Sequence, residues 1–189
     1  HQERDIRRAE VITERRQAQA VLRESEERFR TLFQSPTIGI ALHDASGRFL
    51  NTNRTFQEML GYSGAELKRL GTKRITYPDD VAEEQRLIAG LREGTRDAYQ
   101  FEHRYWGRKR RLVWARASAS AVRDHLGQLR FIIAMVEDIT GRKQAEDQIR
   151  LLVNSVHSTQ ELICITDQKN RFQFVNRAFL SAYGYTEPE

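Results

Sequence analysis

Two adjacent carboxylates, Asp79 and Asp80, are the first residues of this 189-residue sequence that could do chemistry. A carboxyl pair can divide the roles of general acid and general base. Here both follow Pro78 at the start of a helical pattern, "PDDVAEEQRLIAGLREG". Acids in a first helical turn offset the helix dipole, and that structural role is expected for both. His43 and His103 could contact a ligand or titrate near neutrality. His43 alternates away from Ile40 and Leu42 along its strand, which predicts a surface or dimer-face position. His103 shares a strand face with Phe101, where a lone histidine is more often a satisfied core residue than a ligand-binding one. His157, in "NSVHSTQ", lacks the acidic and proline context of a phosphoacceptor and reads as a loop residue. Cys164 is the single cysteine. It permits no internal disulfide and cannot by itself supply a four-ligand zinc site, so no metal is expected.

Missing motifs narrow the classes further. With no Walker-type phosphate loop, no clustered Cys/His set and no serine nucleophile motif, catalysis within the chain is not expected. The net charge of +5 includes a basic run, "RKRR" at 108–111. That run sits beside Gly107 between two strand-like stretches, so a solvated hairpin tip is expected rather than a nucleic-acid site. The longest apolar run, "FIIAMV" at 131–136, is too short to span a bilayer. The chain is therefore expected to be cytoplasmic and free of membrane contact, with any membrane anchor of a longer parent lying outside it.

These residues are carried by a repeated unit. At an offset of 123 residues, "IALHDASGRFLNTNRTFQEMLGYSGAE" (40–66) falls on "ICITDQKNRFQFVNRAFLSAYGYTEPE" (163–189). The identities include Asp44/Asp167, Asn53/Asn176, Phe56/Phe179 and Gly61/Gly184. Ser63 with Glu66, and Thr186 with Glu189, both spell a helix capping box. The expected organisation is an N-terminal coiled-coil helix over 1–28, a complete domain over 29–140, a linker helix over 141–156 and the truncated start of a second domain over 157–189.

The linkers repeat as well. "ITERRQAQAVLR" (12–23) matches "ITGRKQAEDQIR" (139–150) at an offset of 127, while "RTLFQS" (30–35) matches "RLLVNS" (150–155) at 120. The difference of seven is one heptad, which keeps an apolar seam on the same helix face. Apolar a/d-like positions support a coiled coil: Val11, Ala18, Leu22, Phe29 and Leu32 in the first helix, and Ala145, Ile149, Leu152 and Val156 in the second. A parallel homodimer is expected.

Within the complete domain, strands over 38–44 and 48–53 form a hairpin, and Asn53 is placed to cap a short helix that Gly61 closes. Short helices follow from Ser63 and from Pro78. Strands over 98–105, 111–122 and 129–140 complete a mixed α/β (α+β) fold, with a five-stranded antiparallel sheet and short helices on one face. Val113, Ala115, Ala117 and Ala119 make a small-residue face opposite Trp114, leaving room for a pocket or for close helix packing. A pocket is expected to be lined by Ile40, Leu42, Phe56, Met59, Phe101, His103, Ile133 and Met135.

The stretch "FRTLFQSPTIGIALHDASGRFLNTNRTFQEMLGYSGAEL", the "YPDD" helix start, "FEHRY", the strand with Trp114 and "EDITGRKQAEDQI" together resemble a PAS domain of the sensory-box type. The resemblance covers roughly residues 29–140 and again 152–189. Residues 12–16, "ITERR", resemble the exit motif of a further copy, although Val11 replaces the expected Asp. By that resemblance, Asp138, Ile139 and Thr140 form the joint through which the last strand passes its state to an output helix. The resemblance implies a sensory or relay module of a larger signalling protein, with a sensor histidine kinase as the expected parent. A cofactor-free dimerisation module of a diguanylate cyclase, phosphodiesterase or transcription regulator is the alternative, and a flavin-binding redox sensor a more distant one. Photoreceptor relatives carry a flavin-reactive cysteine in a helix, and the complete domain has none. Haem-binding relatives place a histidine on the long helix, and residues 79–93 contain none. Haem and covalent flavin chemistry are thus not expected, while a noncovalent flavin or a small metabolite remains open.

Overall fold

The computed structural model describes the backbone of residues 2–186 and the side chains of residues 15–186. The side chain of Val11 and the Glu189 half of the second capping box lie outside the described residues. One compact unit ends at Ile139 and a second begins at Thr140.

The first unit opens with α1 (Gln2–Phe33), followed by β1 (Gly39–His43) and β2 (Phe49–Thr52). Asp44 closes the turn between these strands, its Oδ1 accepting from the backbone N–H groups of Ser46 and Arg48 at 2.9 and 3.0 Å. Asn53 then caps α2 (Arg54–Leu60) by accepting from Phe56 N at 2.9 Å. Gly61 ends that helix at φ 75, a left-handed conformation that costs glycine nothing. The capping box of Ser63 and Glu66 starts α3 (Gly64–Ile75), which runs longer than the sequence predicts because Gly71, at φ 68, breaks it without ending it. Pro78 opens α4 (Pro78–Glu93), and Gly94 closes it.

Three long strands complete the unit: β3 (Ala98–Trp106), β4 (Leu112–Arg123) and β5 (Leu129–Asp138). The sheet is antiparallel throughout in the order β2-β1-β5-β4-β3, so the last strand pairs with the first near its centre. This is the expected mixed α/β architecture. Helices α2, α3 and α4 supply Phe56, Leu60, Leu67, Ile75, Ile88 and Leu91 to a single core beneath it. Val113, Ala115, Ala117 and Ala119 meet them from β4, and all four are buried. Their small side chains let the helices approach the sheet closely while the β-rich pleat is kept.

Two strands face the other way from expectation. The register aligns Ala41, Ala134, Ala119 and Tyr99 across the sheet, and this row faces the core. Ile40, Met135, Ser118 and Gln100 form the next row, on the opposite face. Ala41 and His43 of β1 and Ile132, Ala134 and Val136 of β5 therefore point inward, and Ile40, Leu42, Ile133 and Met135 point outward. β5 also stops at Asp138, two residues short of the expected end.

The second unit consists of α5 (Thr140–Ser158), the hairpin β6 (Cys164–Thr166) and β7 (Phe172–Val175), and α6 (Arg177–Tyr183). Asn176 caps α6 and Gly184 closes it, as Asn53 and Gly61 do for α2. No helix among the described residues is long and apolar enough to cross a membrane.

Candidate functional site

Asn53 does more than cap a helix. Its Oδ1 accepts from Ile40 N at 2.8 Å as well as from Phe56 N, and its Nδ2 donates to Ile38 O at 2.9 Å. One buried amide thus joins β1 to the start of α2 and holds the helix over the sheet. Asn176 repeats the arrangement, its Oδ1 accepting from Ile163 N at 3.1 Å.

Between helices α2, α3 and α4 and the sheet of the first unit lies a small cavity lined by Ala41, His43, Phe56, Glu84, Phe101 and His103, among others. The room it leaves for a water centre is about 10 Å³, close to what one ordered water requires. Of the eight expected pocket residues, Phe56, Phe101 and His103 line it. Met59 is buried in the same core but does not reach the cavity wall. Ile40, Leu42, Ile133 and Met135 lie on the opposite sheet face, where Met135 is 49% exposed, so these four are corrected.

His43 is corrected in the other direction. It is buried and lines the cavity, its Nδ1 lying 3.1 Å from the Asp44 carbonyl and its ring edge-on to Phe49. Burial holds its pKa below the usual histidine value. His103 stacks on Phe101 with ring centroids 4.3 Å apart and meets Tyr105 edge-on at the same distance. Neither of its ring nitrogens has a hydrogen-bond partner. Burial drives its pKa down to about 4, so the imidazole is neutral at pH 7.

The sequence reading missed Glu84. It is 3% exposed, its Oε2 lies 2.8 Å from the Thr76 hydroxyl, which donates to the carboxylate form, and burial pushes its carboxyl up to about 7. A signal was present: Glu84, Leu87, Ile88 and Leu91 follow the i, i+3, i+4, i+7 spacing of a single helix face.

The carboxylate pair at the start of α4 has a structural partner. The Arg104 guanidinium contacts Asp80 through Nε at 2.9 Å and Nη2 at 2.7 Å, and lies 3.9 Å from the Tyr77 ring centre. Its hydrogen bonds hold the Asp80 carboxyl below the ordinary range. The basic run forms the hairpin tip that the sequence predicts, a 3-10 turn over Arg108–Arg110. Arg108 pairs with Glu66 at 2.9 Å, and Arg111 donates to the Met59 carbonyl. Among the described residues, no group of three or more His, Cys, Asp or Glu side chains could hold a metal ion.

At the exit, Asp138 ends β5, Ile139 is buried, and Thr140 is the first residue of α5. Ile139 N donates to Trp114 O at 2.9 Å, which fixes the residue between strand and helix to β4.

The family profile described as PAS fold matches residues 27–139, and one described as PAS domain matches residues 148–189. The chain belongs to the PAS family. The PAS domain of a protein from Colwellia psychrerythraea superposes with a TM-score of 0.55 at 16% identity, covering 61% of this chain and 97% of that one. Among curated proteins, the probable diguanylate cyclase DgcE of Escherichia coli (strain K12) is 33% identical over 138 residues, which is 73% of this chain and 12% of that protein. The sensor histidine kinase TmoS of Ectopseudomonas mendocina is 27% identical over 158 residues, or 84% of this chain and 16% of that protein. The 189-residue chain thus spans less than a fifth of the length of either relative.

Proposed function

We propose that residues 27–139 are the sensory and relay input module of a longer signal-transduction protein, which passes a change in the PAS core to its output through Asp138, Ile139 and Thr140. The observation that carries this reading is the single pinned residue between β5 and α5. β5 lies near the centre of the sheet and lines the cavity through Ala134 and Val136. A shift in that strand reaches the helix start without a loop to absorb it.

Of the two modes the sequence leaves open, the small cavity favours the cofactor-free relay. Space for one water does not accommodate a flavin ring or a metabolite, so a ligand of that size would need the helices to move away from the sheet. The relay requires a dimer, and the heptad residues Leu22, Phe29 and Leu32 of α1 are all at least half exposed in the single chain. Burying them on a second copy in parallel satisfies the seam.

A sensor histidine kinase is the proposed parent, supported by the match to TmoS over 84% of this chain, against the 73% matched in DgcE. The greater identity to a probable diguanylate cyclase favours a cyclase as the second reading. Native mass spectrometry of the 189-residue chain tests the module reading, since it reports oligomeric state and bound mass together. A bare dimer supports the relay. A dimer with an added mass replaces it with a ligand sensor, and a monomer at all concentrations removes the α1 seam from the mechanism.

A further inference from the structure

The relay reading leaves the polar side of the cavity without a role. Thr76 Oγ1 lies 2.8 Å from Glu84 Oε2 and 3.0 Å from Thr72 O. A hydroxyl has one proton to donate. Thr72 O can only accept, and it already accepts Thr76 N at 3.0 Å. Two arrangements satisfy these contacts. In one, the Thr76 hydroxyl donates to Thr72 O, and Glu84 must carry a proton and donate it to Thr76. In the other, the hydroxyl donates to an ionised Glu84, and Thr72 O keeps its backbone partner alone.

The surroundings decide how each form is received. The groups facing the cavity or acting on Glu84 are Asp80 on its own helix, His103, Tyr99 and Tyr105 on β3, His43 on β1, and the Thr72 hydroxyl on α3. Asp80 is ion-paired with Arg104 of β3 at 2.7 Å. His103 and His43 are held neutral by burial, and burial raises both phenols. A carboxylate here is therefore desolvated, with the like charge of Asp80 adding to the penalty. His103 Nδ1 and Nε2 and Thr72 Oγ1 stand unpartnered in the same cavity, which has room for about one water.

We propose that Glu84 is a proton-binding site of the PAS core, whose occupancy reverses the hydrogen bond to Thr76 and so sets the state of the junction between α3, α4 and the sheet. Thr76 is the lever because it bridges to Tyr105 on β3, and the next residue, Tyr77, donates its N–H to Arg104 O at 2.8 Å. The regulatory meaning rests on the sensory reading above, but the proton site does not. Native mass and oligomeric state can come out either way without touching Glu84.

The test uses the 189-residue chain labelled with carboxyl-13C glutamate and titrated from pH 4 to 9, with Glu84→Gln assigning the resonance. One carboxyl is expected to titrate about two to three pH units above the exposed glutamates and to vanish in the variant. A Glu84 resonance that titrates with the others overturns the proposal. Unfolding by urea gives a second reading with a defined sign. The folded chain keeps the proton up to about pH 7, whereas an unfolded glutamate releases it near 4.3. Relative to Glu84→Gln, the wild-type unfolding constant should rise between those values by up to about tenfold per pH unit. A difference that is flat with pH overturns it equally. If Glu84→Gln does not fold, Thr76→Val serves instead. Charge-assisted bonds are the stronger ones, so losing the hydroxyl should move the Glu84 midpoint further up, and an unmoved midpoint counts against the site.

Discussion

At the residue scale, the buried polar groups of this PAS domain do the positioning. Asn53 is 2% exposed and satisfies three backbone groups from three places in the chain: Ile38, Ile40 and Phe56. Asn53→Ala removes the cap and leaves the buried Ile40 N–H and the part-buried Ile38 carbonyl without their partner. Loss of a cap and of a buried partner each cost one to a few kcal/mol, so we expect a loss of about 2–4 kcal/mol in urea denaturation. A loss no larger than that of an exposed cap would mean that the bonds to β1 contribute little. Asn53 was legible from the sequence as a cap, because capping is a local rule read from a few neighbouring residues. Its bonds to β1 were not, since they depend on how the hairpin folds back. Glu84 escaped for a related reason: charged residues on helices are usually solvated, and neighbouring Glu83, paired with Arg86, follows that habit.

At the element scale, the strands divide into those whose pattern carries a face and those whose pattern does not. β4 alternates Val113, Ala115, Ala117 and Ala119 with Trp114, Arg116 and Ser118, so its inward face could be read directly. "FIIAMV" on β5 is apolar at every position and "GIALH" on β1 nearly so, leaving no period of two to read. Choosing the larger side chains as the inward set then selects the wrong face. Alanine lies inward on both strands because the helices come close, and the outer face is apolar enough to hold Ile40 at 7% exposure. A pair of substitutions separates the two registers. Ile132→Ala, at a fully buried inward position, should cost about 2–5 kcal/mol. Met135→Lys, on the outer face, should stay within roughly 1 kcal/mol of wild type by the same denaturation measurement. The reverse order would falsify the assigned faces.

At the scale of the whole molecule, the relay depends on helix phase, and phase is the property that the linkers preserve. α1 is one continuous helix from Gln2 to Phe33, with Ala18, Leu22, Phe29 and Leu32 at heptad-compatible positions and exposed. Removing seven residues from such a helix shortens it by about 10 Å yet turns the downstream end by only about 20°. Removing four turns it by about 40°, and removing three by about 60° the other way. Deletion of residues 23–29 in a full-length parent should therefore keep the sign of the output response, assayed as kinase or cyclase activity. Deletion of three or four residues from the same stretch should invert or abolish it. The control is the sheet and its helices over residues 39–138, which lie downstream of the deletion and keep every residue, so each variant should keep the same PAS stability. If all the deletions act alike while that stability is unchanged, the state of the PAS core does not travel as a rotation of these helices, and the seven-residue difference between the linkers needs another cause.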